Sequence, residues 1–203
     1  MTRSVLFVGA HPDDVETGAL GLLLMLRDVK RHYLAMSKCL DIPRNERILE
    51  EYDKVTKRLD AASKIFDFPN RDLYLCGKDI RKILEDYRDN EKVDAAICPS
   101  LNDVHQDHRA LAEEVVRVFK HHTVLFYELP NSCLVFEPRF FQPLTDDVVK
   151  KKLEIISLYE SQRNQRYMEQ DAILASMRFR GLQIGHKYAE AFEIWRIVRG
   201  AIF

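Results

Sequence analysis

Two short stretches concentrate the side chains that could do chemistry. One reads Ala10-His11-Pro12-Asp13-Asp14, and the other Asn102-Asp103-Val104-His105-Gln106-Asp107-His108. Together they carry three histidines and four aspartates. A lone histidine beside a strand end is most often a satisfied surface or core residue. Two dense clusters in one chain are much harder to ascribe to coincidence. Imidazole and carboxylate are the donors of a catalytic zinc, which takes three protein ligands and keeps one position open for water. The first stretch offers His11 with a carboxylate three positions away, and Pro12 fixes the backbone between them. The second stretch adds a histidine. Zinc lowers the pKa of bound water to about 7, and a neighbouring carboxylate, Asp13 or Asp107, can then take its proton. A histidine that is not a ligand can polarise a carbonyl or protonate a leaving group.

Such clusters need elements that bring them together. Residues 4–9 form a short apolar run suited to a buried strand. Residues 32–36, 73–76, 95–98 and 124–127 read as further strands. Residues 16–30, 43–66, 78–87 and 106–120 have helical spacing, and Pro43 suits a first helical turn. Strands alternating with helices predict a Rossmann-like α/β fold: a mostly parallel sheet flanked by helices, with residues 1–203 as a single domain. Beyond Pro130 the pattern changes. Residues 134–141 are irregular and aromatic, residues 148–159 and 171–181 are helical, and residues 189–198 suit strand or helix. This tail is expected to pack on the sheet. Ligands of open α/β sheets bind beyond the carboxyl ends of the strands, and both clusters directly follow a strand.

Composition narrows the function classes. Lys and Arg total 31 against 32 Asp and Glu, so the net charge is −1 and no basic excess marks a nucleic-acid binder. Hydrophobic residues make up 46%, a normal globular share. Cys39, Cys76, Cys98 and Cys133 form no C-x-x-C pair, which favours a reducing compartment. The longest apolar stretch, residues 19–26, is too short to span a bilayer, and the N-terminus lacks a signal-peptide core. A cytoplasmic protein without stable membrane insertion is expected. A nucleotide-binding module is disfavoured because neither G-x-x-x-x-G-K-[ST] nor G-x-G-x-x-G occurs. A non-haem iron oxygenase shares the two-histidine, one-carboxylate set. A spare aspartate beside the ligands favours hydrolysis instead.

The segments at 10–14 and 105–108 resemble the paired signatures of the PIG-L/LmbE-like zinc-dependent N-deacetylases. Arg47-x-x-Glu50, Phe68-Pro69-Asn70-Arg71-Asp72-Leu73, Tyr159-Glu160-Ser161-Gln162 and Tyr188-Ala189-Glu190-Ala191-Phe192 resemble further segments of that family. The resemblance implies a metal-dependent hydrolase that removes the N-acetyl group of an amino sugar or its conjugate, releasing acetate and a free amine. It implies His11, Asp14 and His108 as ligands of one Zn2+, for which other divalent ions could substitute. Asp13 would be the general base. His105 would be a charged histidine stabilising the oxyanion, with Asp107 orienting it. The residues alone do not separate Asp13 from Asp14, or His105 from His108. Candidates for substrate binding are Arg47, Arg71, Arg139 and His186, while Glu190 is read as tying the tail to the site loops. The expected partner is a small-molecule N-acetylated sugar or glycoconjugate, and a homo-oligomer is compatible with the sequence.

Overall fold

Strand β1 (Arg3–Gly9) is buried from Ser4 onward, so both of its faces must be covered. In the computed structural model, which describes residues 3–200, they are. Val5 and Phe7 enter one core while Leu6 and Val8 enter another, the two-residue alternation of a strand. Helices α1 (Asp14–Gly18) and α2 (Leu20–Met25) lead to β2 (Val29–Ala35), α3 (Ile48–Thr56) and β3 (Ala62–Ile65). Next come α4 (Gly77–Asp89), β4 (Ala95–Pro99), α5 (Gln106–Val118) and β5 (Thr123–Tyr127). The chain ends with β6 (Phe140–Pro143), α6 (Asp146–Ile156), α7 (Gln170–Leu182) and β7 (Ala189–Arg196). Residues from α2, α3, α6 and α7 fill the Val5/Phe7 layer, and residues from α4 and α5 fill the other.

The sheet runs β3-β2-β1-β4-β5-β7-β6. The first five strands are parallel; β7 runs antiparallel to β5, and β6 antiparallel to β7. The chain moves outward from β1 to β3, then returns to place β4 on the other side of β1. The strand order therefore reverses between β1 and β4, and a crevice opens at their carboxyl ends. The two clusters occupy the loops leaving these strands. Among the described residues, no helix is long and apolar enough to cross a membrane.

Several elements differ from the sequence expectation. The helix expected over residues 43–66 is a 3-10 turn (Pro43–Asn45), helix α3 and strand β3. The strand expected over residues 73–76 is a 3-10 turn, Leu73–Cys76. A four-residue edge strand of mixed exposure carries too little apolar pattern to stand out from the helix before it. The tail does not merely pack on the sheet; residues 189–196 enter it as β7, and Phe140–Pro143 forms a seventh strand.

The helix expected over residues 16–30 breaks at Ala19, whose φ is −143°. A Cβ on Gly18 would lie 2.2 Å from Tyr127 Cδ2, so the first segment packs directly on β5. One buried ion pair holds the break. Lys152 Nζ donates to the Thr17 carbonyl and to Glu190 Oε1, both at 2.7 Å. Glu190 in turn accepts the Gly21 and Leu22 N–H groups at 2.7 Å. Each charge thus satisfies backbone groups that a helix end leaves unpaired, and each sits at the end its sign favours. Glu190, read from sequence as tying the tail to the site loops, ties it instead to the start of α2. Glu190→Ala should cost about 3–5 kcal/mol of stability in urea unfolding, because Lys152 is left buried without its partner.

Candidate metal centre and active site

β1 ends at Gly9 and the chain doubles back immediately. A Cβ on Gly9 would lie 2.9 Å from Asp14 Cβ, so the loop needs glycine there. Asp14 Oδ2 accepts the His11 backbone N–H at 2.9 Å and closes the loop. Asp13 adopts φ 96°, the left-handed region that costs a non-glycine residue about 1–3 kcal/mol. The loop after β4 is organised by Asp103, which is fully enclosed. Its Oδ1 accepts the His105 N–H at 2.8 Å, and its Oδ2 accepts the Ser132 hydroxyl at 2.9 Å. His105 then caps α5, placing Asp107 and His108 in the first turn of that helix.

The loops converge on three donors. His11 Nδ1 and His108 Nε2 face each other at 3.3 Å. Asp14 Oδ1 lies 3.3 Å from His108 Nε2, and Oδ2 lies 3.6 Å from His11 Nδ1. The far side of each ring bonds a carboxylate: His11 Nε2 to Asp107 Oδ2 at 3.0 Å, and His108 Nδ1 to Asp103 Oδ2 at 2.9 Å. An ionised carboxylate only accepts, so both far nitrogens carry hydrogen. In neutral rings the near nitrogens then present lone pairs to each other and to Asp14. Such an arrangement needs a cation at its centre. Carboxylate–histidine pairs of this kind orient metal ligands, and the donor set fits zinc.

The electrostatics agree. Burial opposes charge on His11 and His108, yet Asp14, helped by Asp107 and Asp103 respectively, raises them to about 9 and about 10. Burial likewise opposes the Asp14 charge, and His108 and His11 overcome it, holding this carboxyl well below its usual range. Without a metal, protons supply the cation. A second histidine–carboxylate group, His11, His105 and Asp107, also clusters. Its carboxylate is already committed to His11 Nε2 and to the Arg71 and Leu73 N–H groups, at 2.6 and 3.1 Å, which makes it the poorer metal site.

Asp13 stands beside the three donors. Tyr167 donates its hydroxyl to Asp13 Oδ2 at 3.1 Å. Burial and the Asp14 charge push Asp13 up to about 8, against the pull of His11 and Tyr167. A divalent charge among the donors would pull it back toward the ionised form. His105 stacks on His108 with ring centroids 4.4 Å apart. Burial, with His108 and His11, pushes its pKa down to about 4. Its Nδ1 accepts the Asp107 N–H at 3.2 Å, and because that backbone group can only donate, the ring's proton belongs on Nε2. One expectation is corrected here: the Asp107 side chain bonds His11 rather than His105, which meets only the Asp107 backbone N–H. The surroundings of His105 favour its neutral form, with Nε2–H as the donor.

The centre opens into a solvent-connected cleft of about 170 Å³. Arg71 lines it, together with Arg44, Asn45, Asn131, Gln162 and Tyr167. The other three substrate-binding candidates lie elsewhere. Arg47 pairs with Glu50 and Glu160 and is half exposed. Arg139 pairs with Glu137 on the surface, and His186 is exposed in the turn after α7. The 3-10 turn ahead of α3 explains the exchange, since it brings Arg44 rather than Arg47 to the cleft. Asp103 belonged to the second cluster but had no role in the sequence reading. Its position two residues before a helix-capping histidine was the available signal. Tyr167 reaches Asp13 across 154 residues and left no local signal.

Metal affinity should report both supports. Asp103→Asn should weaken binding about 10–100-fold in chelator competition, because His108 loses its charged partner. The rings bind metal only when neutral, and with pKa values near 9 and 10 they are protonated at neutral pH. Metal loading there should release protons, detectable as buffer-dependent calorimetric heats, and apparent affinity should climb as pH rises toward about 9.

Residues 6–119, more than half of the chain, match the GlcNAc-PI de-N-acetylase (PIG-L) family. The chain is 25% identical over 169 residues to the Escherichia coli K12 protein YaiS, described as an uncharacterized deacetylase, covering 78% of this chain and 91% of that one. The N,N'-diacetylchitobiose deacetylase of Pyrococcus horikoshii superposes with a TM-score of 0.76 at 22% identity, over 95% of this chain and 83% of its own. The 4-carboxy-2-hydroxymuconate hydratase GalB of Pseudomonas putida KT2440 does so with 0.78 at 18% identity, over 98% and 99%. The last comparison shows that the fold alone does not choose the reaction. The family match contains both motif loops, and the chain belongs to the GlcNAc-PI de-N-acetylase (PIG-L) family of deacetylases.

Proposed function

We propose that this protein is a zinc-dependent N-deacetylase that hydrolyses the acetamide of an N-acetylated amino sugar or its conjugate. The observation that carries the reading is the facing pair His11 Nδ1 and His108 Nε2, each ring backed by a carboxylate, with Asp13 beside them bonded to Tyr167 through Oδ2. His11, Asp14 and His108 would hold the ion, and other divalent ions suit the same donors. Bound there, a divalent ion supplies Lewis acidity, polarising an amide carbonyl and acidifying water.

The chain's own residues perform the proton transfers and the charge stabilisation. Tyr167 occupies Asp13 Oδ2 and leaves Oδ1 to take a proton from the attacking water. As the water oxygen bonds to the acetyl carbon, the carbonyl oxygen becomes an oxyanion, and His105 Nε2–H donates to it. Asp13 then returns its proton to nitrogen as the C–N bond breaks, releasing acetate and the amine. Holding the ring neutral keeps a fixed donor aimed at the developing charge without a proton changing hands there, the usual advantage of a preorganised oxyanion site.

The test is acetate release from a panel of N-acetylated sugars, nucleotide sugars and thiol glycosides, with and without added zinc. Zinc-stimulated acetate is expected; water addition to an unsaturated acid with no acetate from any panel member would overturn the reading in favour of a hydratase. Asp13→Asn should keep its metal and lose about 100–10,000-fold in kcat, whereas Asp14→Asn should lose the metal itself. His105→Gln should lower kcat about 100–1,000-fold and retain the basic limb of the pH profile, because a neutral donor does not titrate there. Loss of that limb would restore the charged role for His105.

A further inference from the structure

Two arginines line the cleft without a carboxylate partner. Some arginines of the chain are engaged by glutamates, among them Arg47 with Glu160, Arg81 with Glu114 and Arg180 with Glu128. Arg44 and Arg71 border the catalytic cleft and have no ion-pair partner among the described residues. The carboxylates on the cleft lining, Asp13 and Asp14, are committed to proton transfer and to the metal donors in the reading above. The amides of Asn45, Asn70, Asn131 and Gln162 that share the lining carry no charge.

The side chain of Arg44 and the backbone of Arg71 stand on built supports. Arg44 lies in the 3-10 turn Pro43–Asn45, and its Nε donates to Gln162 Oε1 at 3.4 Å. Gln162 Nε2 donates to Asn45 Oδ1 at 2.6 Å, and Asn45 Nδ2 donates to the Cys39 carbonyl at 3.0 Å. Asn45 and Gln162 are buried, so this chain of amides anchors the Arg44 stem to the core and leaves its two terminal amino groups without a protein acceptor among the described residues. Arg71 is held in the left-handed region at φ 70°. Its N–H donates to Asp107 Oδ2 at 2.6 Å, and its carbonyl accepts from Gln106 Nε2 at 3.4 Å. Backbone strain of this kind persists where the surroundings over-determine it, and it gathers at ligand clamps.

We infer that Arg44 and Arg71 read an anionic group, a phosphate or a carboxylate, carried by the N-acetylated substrate beside its sugar. The planar guanidinium fork matches either group through paired hydrogen bonds. A neutral oligosaccharide would offer these two exposed positive charges only hydroxyls, with no charge-assisted hydrogen bond. The inference rests on the deacetylase reading for the other half of the substrate and narrows it to acidic members of the class.

The metal-loaded protein would be titrated calorimetrically with N-acetylglucosamine, its 1-phosphate, its 6-phosphate and N-acetylmuramic acid, and acetate release would be measured for each. The phosphate and carboxylate arms distinguish the two anions. At least one acidic sugar should bind about 10–100-fold more tightly than the neutral one, the range for a charge-assisted contact. Arg44→Gln should shrink that gap, and the Arg44→Gln/Arg71→Gln double variant should close it. Arg47→Gln, outside the cleft, should leave it intact. Equal binding of all four sugars, or a gap that survives the double variant, would overturn the inference. Hydrolysis of neutral and acidic sugars alike would do so while leaving deacetylation standing. Arginine-dependent anion binding with no acetate from any sugar would support the inference and remove the deacetylase reading.

Discussion

Two imidazole nitrogens held 3.3 Å apart, facing each other and the Asp14 carboxylate, set the terms for the rest of the structure. Apart from a cation, nothing stabilises that contact. Each ring must therefore keep its proton on the far side, which requires Asp107 behind His11 and Asp103 behind His108. Those carboxylates are themselves buried, and a buried charge without partners is costly. Asp107 is supplied by the Arg71 and Leu73 N–H groups, and Asp103 by the His105 N–H and the Ser132 hydroxyl. One pair of nitrogens thus fixes the loops that follow β1, β3, β4 and β5.

The late part of the chain secures this arrangement through buried acids. Glu190 on β7 reaches the start of α2, and Glu193 on the same strand accepts from Asn102 and from the Glu137 N–H. Glu16, one turn beyond Asp13, is fully buried and accepts the hydroxyls of Tyr33 and Tyr159. Burial lifts its pKa to about 7, against those two hydrogen bonds. Ser161 bonds Glu51, and Gln162 bonds Asn45. The segment 159–162 therefore works as a buttress, with Tyr159, Ser161 and Gln162 each taking a different buried partner from the first third of the chain. Of the five described non-glycine residues with positive φ, Asp13, Cys39 and Arg71 line the cleft, while Asp28 and Lys92 lie outside it.

The topology explains why these demands can be met in one place. Strand order reverses between β1 and β4, so the loops leaving them diverge over the sheet and leave a crevice that neither must cross. The same scaffold carries a hydratase as well as deacetylases among its relatives.

Some of this was written in local sequence. The alternation of apolar runs with helical spacing is a short-range property, so the parallel α/β architecture and strands β1, β2, β4 and β5 were legible directly. The motif residues follow strand ends by two to nine positions, and a strand end fixes where its loop emerges; that brought His11, Asp13, Asp14, His105 and His108 to one edge. Other features depended on contacts distant in sequence. The break between α1 and α2 needs Lys152 and Glu190, more than a hundred residues away, to satisfy its freed backbone groups. Edge strand β3 earns its conformation from pairing with β2 rather than from its own pattern. The partner of Asp107, the tautomer of His105, and the exchange of Arg47 for Arg44 at the cleft were likewise decided by tertiary structure. Hydrogen bonds are directional over about 3 Å, so a shift of one helical turn that composition and periodicity cannot register changes which side chain meets the substrate.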